Sequence, residues 1–315
     1  MEKLFDVLVV GELNVDLILS DIEKFPEIGK EVLAHGMTLT LGSSSAIFAS
    51  NISSLGARVA FLGKIGNDKF GEVVLETLKT NHVDVSMVKT DENAGTGATI
   101  VLYVDEDRAN TTYPGAMDLL TPGDITEEDL KKARHLHFSS YFLQPGMWKG
   151  LGQLFRLARK LGLTTSFDMQ WDPKETWDMD MEDILPYVNI FLPNEMELKS
   201  LTGKKDLYEA IDSVKKYSET LVIKRGNKGS IVVQDKNLFD LPSFLNEKVI
   251  DTVGAGDSFN AGFIFKYIQN GNISECQKFG NLAGAVSTTA AGGTKAFRNY
   301  ESFRKSALDN FGIVI

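Results

Sequence analysis

From about residue 125 onward, short apolar runs and helical patterns take turns along the chain. The runs are HLHFSS (135–140), TTSFD (164–168), NIFLP (189–193), TLVIKRG (220–226) and GSIVVQ (229–234). Helical patterns lie between and after them, near 146–161, 194–202, 206–217, 257–270 and 274–290. Such a rhythm leaves few folds open. Strands joined through helices run parallel, and the helices cover both faces of the sheet they make. FDVLVVG (5–11) extends the pattern backwards, because a continuous apolar run ending in glycine reads as a strand buried on both faces.

Two earlier segments do not keep this rhythm. LNVDLILS (13–20) alternates, with Asn14, Asp16 and Ile18 on one face and Leu13, Val15, Leu17 and Leu19 on the other. Residues 95–114, GTGATIVLYVDEDRANTTYP, alternate again around a charged turn at Asp105–Arg108. Between them the pattern predicts a helix over 43–56 stopped by Gly56, a strand over 58–66 and a helix over 68–81. We therefore expect one α/β domain spanning 1–315, a mostly parallel sheet between helical layers. A small β-sheet lid is inserted on one edge, with strands from about 12–20, 32–41 and 96–114.

Composition excludes several classes. No segment approaches the roughly 20 uninterrupted apolar residues of a membrane helix. The start, MEKLFDVLVVGE, has early acids and no small-residue cleavage site, against a secretory signal. Cys276 is the single cysteine, so no internal disulfide forms and a reducing cytoplasm is expected. A net charge of −10 opposes general attraction to nucleic acid or anionic membranes. Four histidines and one cysteine are too few for a dedicated zinc cage.

The segment VIDTVGAGDSFNAGF (249–263) bears most directly on chemistry. A strand, a turn of small residues and a helix beginning near Asp257 present main-chain N–H groups at Gly254, Ala255 and Gly256 beside the positive end of the helix dipole. Asp257 at that mouth suits proton acceptance from an alcohol while the amides hold charge on phosphoryl oxygens. On spacing alone, the segment equally fits a plain glycine-rich turn with Asp257 as N-cap. No G-x-x-x-x-G-K-[ST] occurs, and the first strand turns through GELNVD rather than G-x-G-x-x-G. A P-loop enzyme and a dinucleotide-binding oxidoreductase are both disfavoured.

DTVGAGDSFNAGF (251–263) resembles the C-terminal signature of the ribokinase-like (PfkB) carbohydrate kinases. GKIGNDKFG (63–71), PNEME (193–197), VIKRGNKGS (222–230) and PGAMDLLTP (114–122) are similar to further family segments, in the same order. The resemblance spans Asn14 to about Gly293. It implies a three-layer α/β/α sandwich with a β-sheet lid, and transfer of the γ-phosphoryl group of ATP to a sugar hydroxyl. Asp257 would then be the catalytic base, with Gly254, Ala255 and Gly256 as the anion hole. Asn194 and Glu197 would hold Mg²⁺ through water; their alternative is a helix N-cap with a first-turn acid. Lys224, Gly226, Gly229 and Asn281 would lie along the nucleotide. Asp251 and Val253 would supply part of a shell for a monovalent cation such as K⁺. Lid-to-lid homodimers occur in relatives, and the apolar face of 13–20 would permit one.

For the acceptor, the resemblance places Asn14, Asp16, Gly42, Ser43, Ser44 and Thr99 against the sugar. The chain departs from the family at GSSSAI (42–47), where Ile47 stands for an Asn, and Met117 likewise stands for an Asn. In FDMQWDP (167–173), Gln170 and Asp172 replace the usual Asn and Arg. Residues 36–57 hold no Lys or Arg, and Arg108 in the lid is the one candidate cation, at a hairpin turn where an Arg is more often exposed. A phosphorylated or carboxylated acceptor calls for pocket cations. A neutral ketohexose such as fructose, or a pentose such as ribose, is therefore expected. The alternatives are a nucleoside kinase of the same fold and a 2-keto-3-deoxy sugar acid kinase. Trp171 and Trp177 either stack on a ligand or pack under their own loop.

Overall fold

The computed structural model describes residues 3–104 and 107–315. In chain order the first strands are β1 (Phe5–Val10), β2 (Asn14–Ile22), β3 (Ala34–Leu41), β4 (Val59–Leu62) and β5 (Lys64–Gly66). There follow β6 (Val83–Asp84), β7 (Lys89–Asp91), β8 (Gly97–Val104), β9 (Asp107–Tyr113) and β10 (Ala133–Ser139). The last are β11 (Thr164–Asp168), β12 (Ile190–Phe191), β13 (Thr220–Lys224), β14 (Ser230–Gln234) and β15 (Asn237–Leu241). The helices are α1 (Ser44–Ser54), α2 (Lys69–Thr80), α3 (Glu127–Lys131), α4 (Leu151–Lys160) and α5 (Met181–Ile184). They continue with α6 (Glu195–Thr202), α7 (Leu207–Val214), α8 (Ala255–Ile268), α9 (Ile273–Ser287) and α10 (Tyr300–Phe311).

The main sheet runs β15-β14-β13-β12-β11-β10-β1-β4-β6. Every pairing from β13 to β6 is parallel, whereas β14 and β15 are added antiparallel at one edge. Period-two geometry makes β1 face two cores. Val7 and Val9 join α1, α2, α8, α9 and α10 on one side, while Leu8 and Val10 join α3 to α7 on the other. These are the three layers that the alternating runs imply. The lid is a separate sheet, β3-β2-β8-β9, in which β2 pairs antiparallel with β3 and parallel with β8. Among the described residues, no helix is long and apolar enough to cross a membrane.

Several boundaries differ from the sequence reading. The run over 58–66 splits at Gly63 into β4 and β5, which belong to different sheets. Of NIFLP only Ile190 and Phe191 form the regular strand, although Leu192 N still donates to the Phe167 carbonyl at 2.9 Å and the Pro193 carbonyl accepts from Lys224 N at 3.0 Å. The helix expected from 146 begins at Leu151, after a 3₁₀ turn over Pro145–Met147. Of the charged lid turn, residues 105 and 106 lie outside the described residues, and Asp107 and Arg108 already belong to β9. β15 and α10 have no counterpart in the periodicity read above.

Candidate active site

A set of polar residues gathers at the carboxyl ends of the parallel strands, where open α/β sheets bind ligands, and among the residues singled out by sequence Asn194 and Lys224 belong to it. Glu12 follows β1, Ser140 follows β10, Asp168 ends β11, Asn194 follows β12 and Lys224 ends β13. The lid sheet adds its polar face. A cavity of about 210 Å³ between them is lined by Glu12, Asn14, Asp16, Ser43, Ser44, Thr99, Arg108, Asn110, Thr112 and Ser140, among others.

Lid register explains this lining. Asp16 pairs with Thr99 across β2 and β8, and Thr99 with Thr112 across β8 and β9, so all three share one face. Asn14 Nδ2 donates to Thr99 Oγ1 at 2.9 Å and to Asp16 Oδ1 at 3.2 Å. Burial raises the Asp16 carboxyl to about 6, against the Asn14 hydrogen bond and the nearby Arg108 charge. Gly42 has a plain steric reason: a Cβ there would lie 2.3 Å from Asp16 Oδ1. Ser43 is the N-cap of α1, its hydroxyl donating to the Glu12 carbonyl at 2.6 Å and accepting from Ala46 N. Glu12 itself is buried, accepting from Ser45 Oγ, from Ser45 N at 3.2 Å and from Ser140 Oγ at 2.8 Å. Burial raises its carboxyl despite these donors. Arg108, on β9, is exposed and also lines the cavity, its charge near Asp16.

At the mouth of α8, Gly254 is the N-cap with φ 73° and no capping side chain. A Cβ there would meet Gly293 Cα at 2.6 Å, so both the backbone and the space require glycine. Of the three amides expected to be bare, Ala255 N donates to the Thr252 carbonyl at 3.2 Å, closing the turn. Among the described residues no acceptor faces the amides of Gly254 and Gly256, so two of the three amides are bare rather than all three. Ile47, at the position where relatives have Asn, packs against Gly254 and Gly293 and supports this turn. Asp251 ties the preceding loop down: Oδ1 accepts from Val253 N at 2.9 Å and Oδ2 from Gly292 N at 2.8 Å.

Asp257 is nearly buried on the first turn of α8. Ser44, which lines the cavity, stands beside its carboxyl and lowers it slightly, and Oδ1 accepts from Gln170 Nε2 at 3.0 Å. Burial, then the charge of Asp168, push it up to about 8. Asp168 gathers donors from three elements: Lys224 Nζ at 2.5 Å, Asn260 Nδ2 at 2.6 Å and Gln170 Nε2 at 3.0 Å. Burial alone would lower the Lys224 amine; the carboxylates of Asp168 and Glu197 outweigh it, and the amine is raised. Lys224 Nζ passes within 3.8 Å of where a Gly256 Cβ would stand, so the cation overlooks the first turn of α8. Glu12, Asp168 and Asn260 were not picked out from sequence. An acid closing an apolar strand, as in VVGE and SFD, is the available signal.

Asn194 and Glu197 form a reciprocal capping box on α6: Glu197 N donates to Asn194 Oδ1 at 2.9 Å, and Asn194 N to Glu197 Oε2 at 2.8 Å. The structural alternative named for this pair is thus realised. Glu197 is also buried, and burial together with Asp168 raises its carboxyl. Asn281 is buried in α9, accepting from Ser230 Oγ at 3.0 Å and donating to the Pro242 carbonyl at 3.2 Å. Gly226 and Gly229 have φ of 56° and 88° in the turn between β13 and β14. Trp177 packs edge-on against Phe142 and Trp171, which accounts for the pair without a ligand.

This chain is a carbohydrate kinase: it belongs to the pfkB family carbohydrate kinases, whose family model matches residues 4–298. Enzymes of this class transfer a phosphoryl group to a hydroxyl acceptor. An uncharacterized sugar kinase of Archaeoglobus fulgidus is 31% identical over 74% of this chain and 92% of the relative. An ATP-dependent ribose-1-phosphate kinase of Halopiger xanaduensis is 28% identical, over 92% of this chain and 94% of that protein. Among solved structures, a ribokinase of Arabidopsis thaliana complexed with ribose and ATP has a TM-score of 0.84 at 23% identity, covering 96% of this chain and 98% of that one.

Proposed function

We propose that the chain transfers the γ-phosphoryl group of ATP to a hydroxyl of a neutral monosaccharide, a ketohexose such as fructose or a pentose such as ribose. The observation that carries this reading is Asp257 at the mouth of α8, adjoining a polar cavity through Ser44 and flanked by the unpaired amides of Gly254 and Gly256. In this role Asp257 accepts the hydroxyl proton, and the two amides with Lys224 hold charge on the phosphoryl oxygens. Asn14, Asp16, Gly42, Ser43, Ser44 and Thr99 shape the sugar site; an ionised Asp accepts two hydroxyl bonds at once. Positioning supplies much of the acceleration in such a transfer, and lid closure excludes competing water.

Among the described residues, no cluster of three acidic, His or Cys side chains forms an all-protein metal cage. Glu197 keeps one carboxyl oxygen outside its capping box, which suits Mg²⁺ held through water rather than in a closed site. When bound, that ion neutralises phosphate charge. Lys224, Gly226, Gly229 and Asn281 are proposed to follow the nucleotide, and Asp251 with Val253 to seat a monovalent cation, K⁺. A homodimer through the outer face of the lid and a cytoplasmic location complete the reading.

Acids outnumber cations around the cavity, with Glu12 and Asp16 against Arg108, and this favours a neutral acceptor over an anionic one. The test is ADP release with ribose, fructose, adenosine, ribose 1-phosphate and 2-keto-3-deoxygluconate. Turnover with ribose or fructose at least about tenfold above the others in kcat/KM is expected; preference for an anionic sugar or a nucleoside defeats the assignment. Asp257→Asn should lose about 10²–10⁴-fold in kcat with KM for ATP little changed. An active Asp257→Asn enzyme removes the base from the mechanism.

A further inference from the structure

We propose that Gln170, anchored by Asp168, is a positioning residue for Asp257, fixing the orientation of its carboxylate at the phosphoryl-transfer site. The inference rests on the reading of Asp257 as base and goes beyond it.

Gln170 Nε2 lies 3.0 Å from Asp168 Oδ2 and 3.0 Å from Asp257 Oδ1, so a single NH₂ group spans two carboxylates. Asp168, which takes donors from Lys224 and Asn260 as well, is an acceptor, and this fixes the amide orientation: only the nitrogen can face it. The backbone at Gln170 is held with φ 60°, a left-handed conformation that a side chain with a Cβ adopts at a cost. Such an outlier persists where its surroundings over-determine it, and here they do. Met169, the preceding residue, is fully buried and its carbonyl accepts from Tyr141 N at 3.1 Å. Downstream, the Asp172 carboxylate accepts from the N–H groups of Lys174, Thr176 and Trp177. The loop is therefore a rigid bracket that delivers one amide to the acid.

Asp168 steadies the other end of the bridge. Lys224 from β13 and Asn260 from α8 bind the same carboxylate, and Asn260 follows Asp257 by three residues on one helical face. Gln170 thus joins the end of β11 to the first turn of α8 beside the reacting acid. An N–H donated to a carboxylate favours its ionised form, the form a base needs. With Oδ1 engaged by Gln170, rotation of the carboxyl about its last bond is restrained, so its lone pairs keep one direction toward an acceptor hydroxyl.

The test uses the full chain with ribose and fructose as acceptors and four proteins: wild type, Gln170→Met, Asp257→Asn and the double variant. Met keeps the length of Gln but cannot donate. Gln170→Met should lower kcat about 10–100-fold while KM for ATP and sugar stays within about twofold. Adding it to Asp257→Asn should cost nothing further, because the two residues act as one unit. A Gln170→Met enzyme with wild-type kcat, or losses that multiply in the double variant, overturns the proposal while leaving Asp257 as base. Wild-type turnover in Asp257→Asn defeats the base reading and this inference together. A readout independent of turnover is the side-chain NH₂ resonance of Gln170, expected to shift in Asp257→Asn; an unmoved resonance also overturns the bridge. Equal melting temperatures of wild type and Gln170→Met separate lost positioning from lost folding.

Discussion

Asp257 shares its buried corner with Asp168, Lys224, Glu12 and Ser44, and burial followed by the Asp168 charge brings it up to about 8. A base acts only when ionised, so kcat/KM should climb with pH through that region and level off above it. A pH–rate profile already flat from pH 6 upward would contradict this. The same shift has the opposite sign for stability. Because the folded carboxyl holds its proton more tightly than the unfolded one, its contribution is fully present below the unfolded value and is lost as pH rises through about 8. Asp257→Asn should therefore melt above the wild type at pH 9 and lose that advantage near pH 6, as thermal denaturation can establish. At this scale the sequence was informative where a motif is contiguous: Asp257 and its glycines are neighbours in the chain. Asp168, Lys224 and Asn260 are separated by 36 or more residues, and their partnership depends on which strand ends lie side by side.

Strand ends and helix starts are cross-linked at the site by few groups. Asp168 joins β11, β13 and α8 through Lys224 and Asn260. Removing one partner of a buried ion pair leaves the other charge uncompensated. Asp168→Asn should cost about 3–5 kcal/mol in urea unfolding, and adding Lys224→Met should recover part of it. No loss on Asp168→Asn would show that water reaches the Lys224 amine. Gly254→Ala faces both a left-handed backbone and the Gly293 Cα, so it should lower kcat more than stability, by displacing the amides beside Asp257. Elements were legible in proportion to their burial. β1 and β13 carry apolar runs and β10 and β11 are buried, whereas β15 is an exposed edge with the pattern NLFDL and offers no clear period. The capping box of α6 was readable from NEME; its neighbourhood to Asp168 was not.

The whole molecule has two opposing responses to pH. His135 and His137 are buried in the main sheet, and burial lowers both rings, His135 to about 3. Their stabilising contribution is present above the unfolded value near 6.5 and is lost as pH falls below it. Melting temperature should drop between pH 6.5 and 5, and His137→Phe, which keeps the stack on Phe48, should flatten that limb. The lid gives a second prediction at this scale. Its face away from the cavity carries Leu17, Leu19, Met37, Leu39 and Ile100, in register across β3, β2 and β8. If this face pairs two copies, Met37→Glu with Leu39→Glu should convert a dimer to a monomer in light scattering; a wild-type monomer at all concentrations removes the interface. A mostly parallel sheet and a separate lid follow from the rhythm of the chain, but the strand order, the antiparallel edge and the face of the lid that meets the cavity required the pairing register.

That register also limits how acceptor preference can change over generations. In β2 the side chains of Asn14, Asp16 and Ile18 face the cavity, and those of Leu17 and Leu19 take the opposite face, which Val15 begins from within the core. Deleting or inserting one residue in this ribbon would exchange the two sets, bringing hydrocarbon to the carbohydrate and carboxylate to the outside. Point replacements can retune selectivity gradually, whereas length changes in this strand would erase it in a single event.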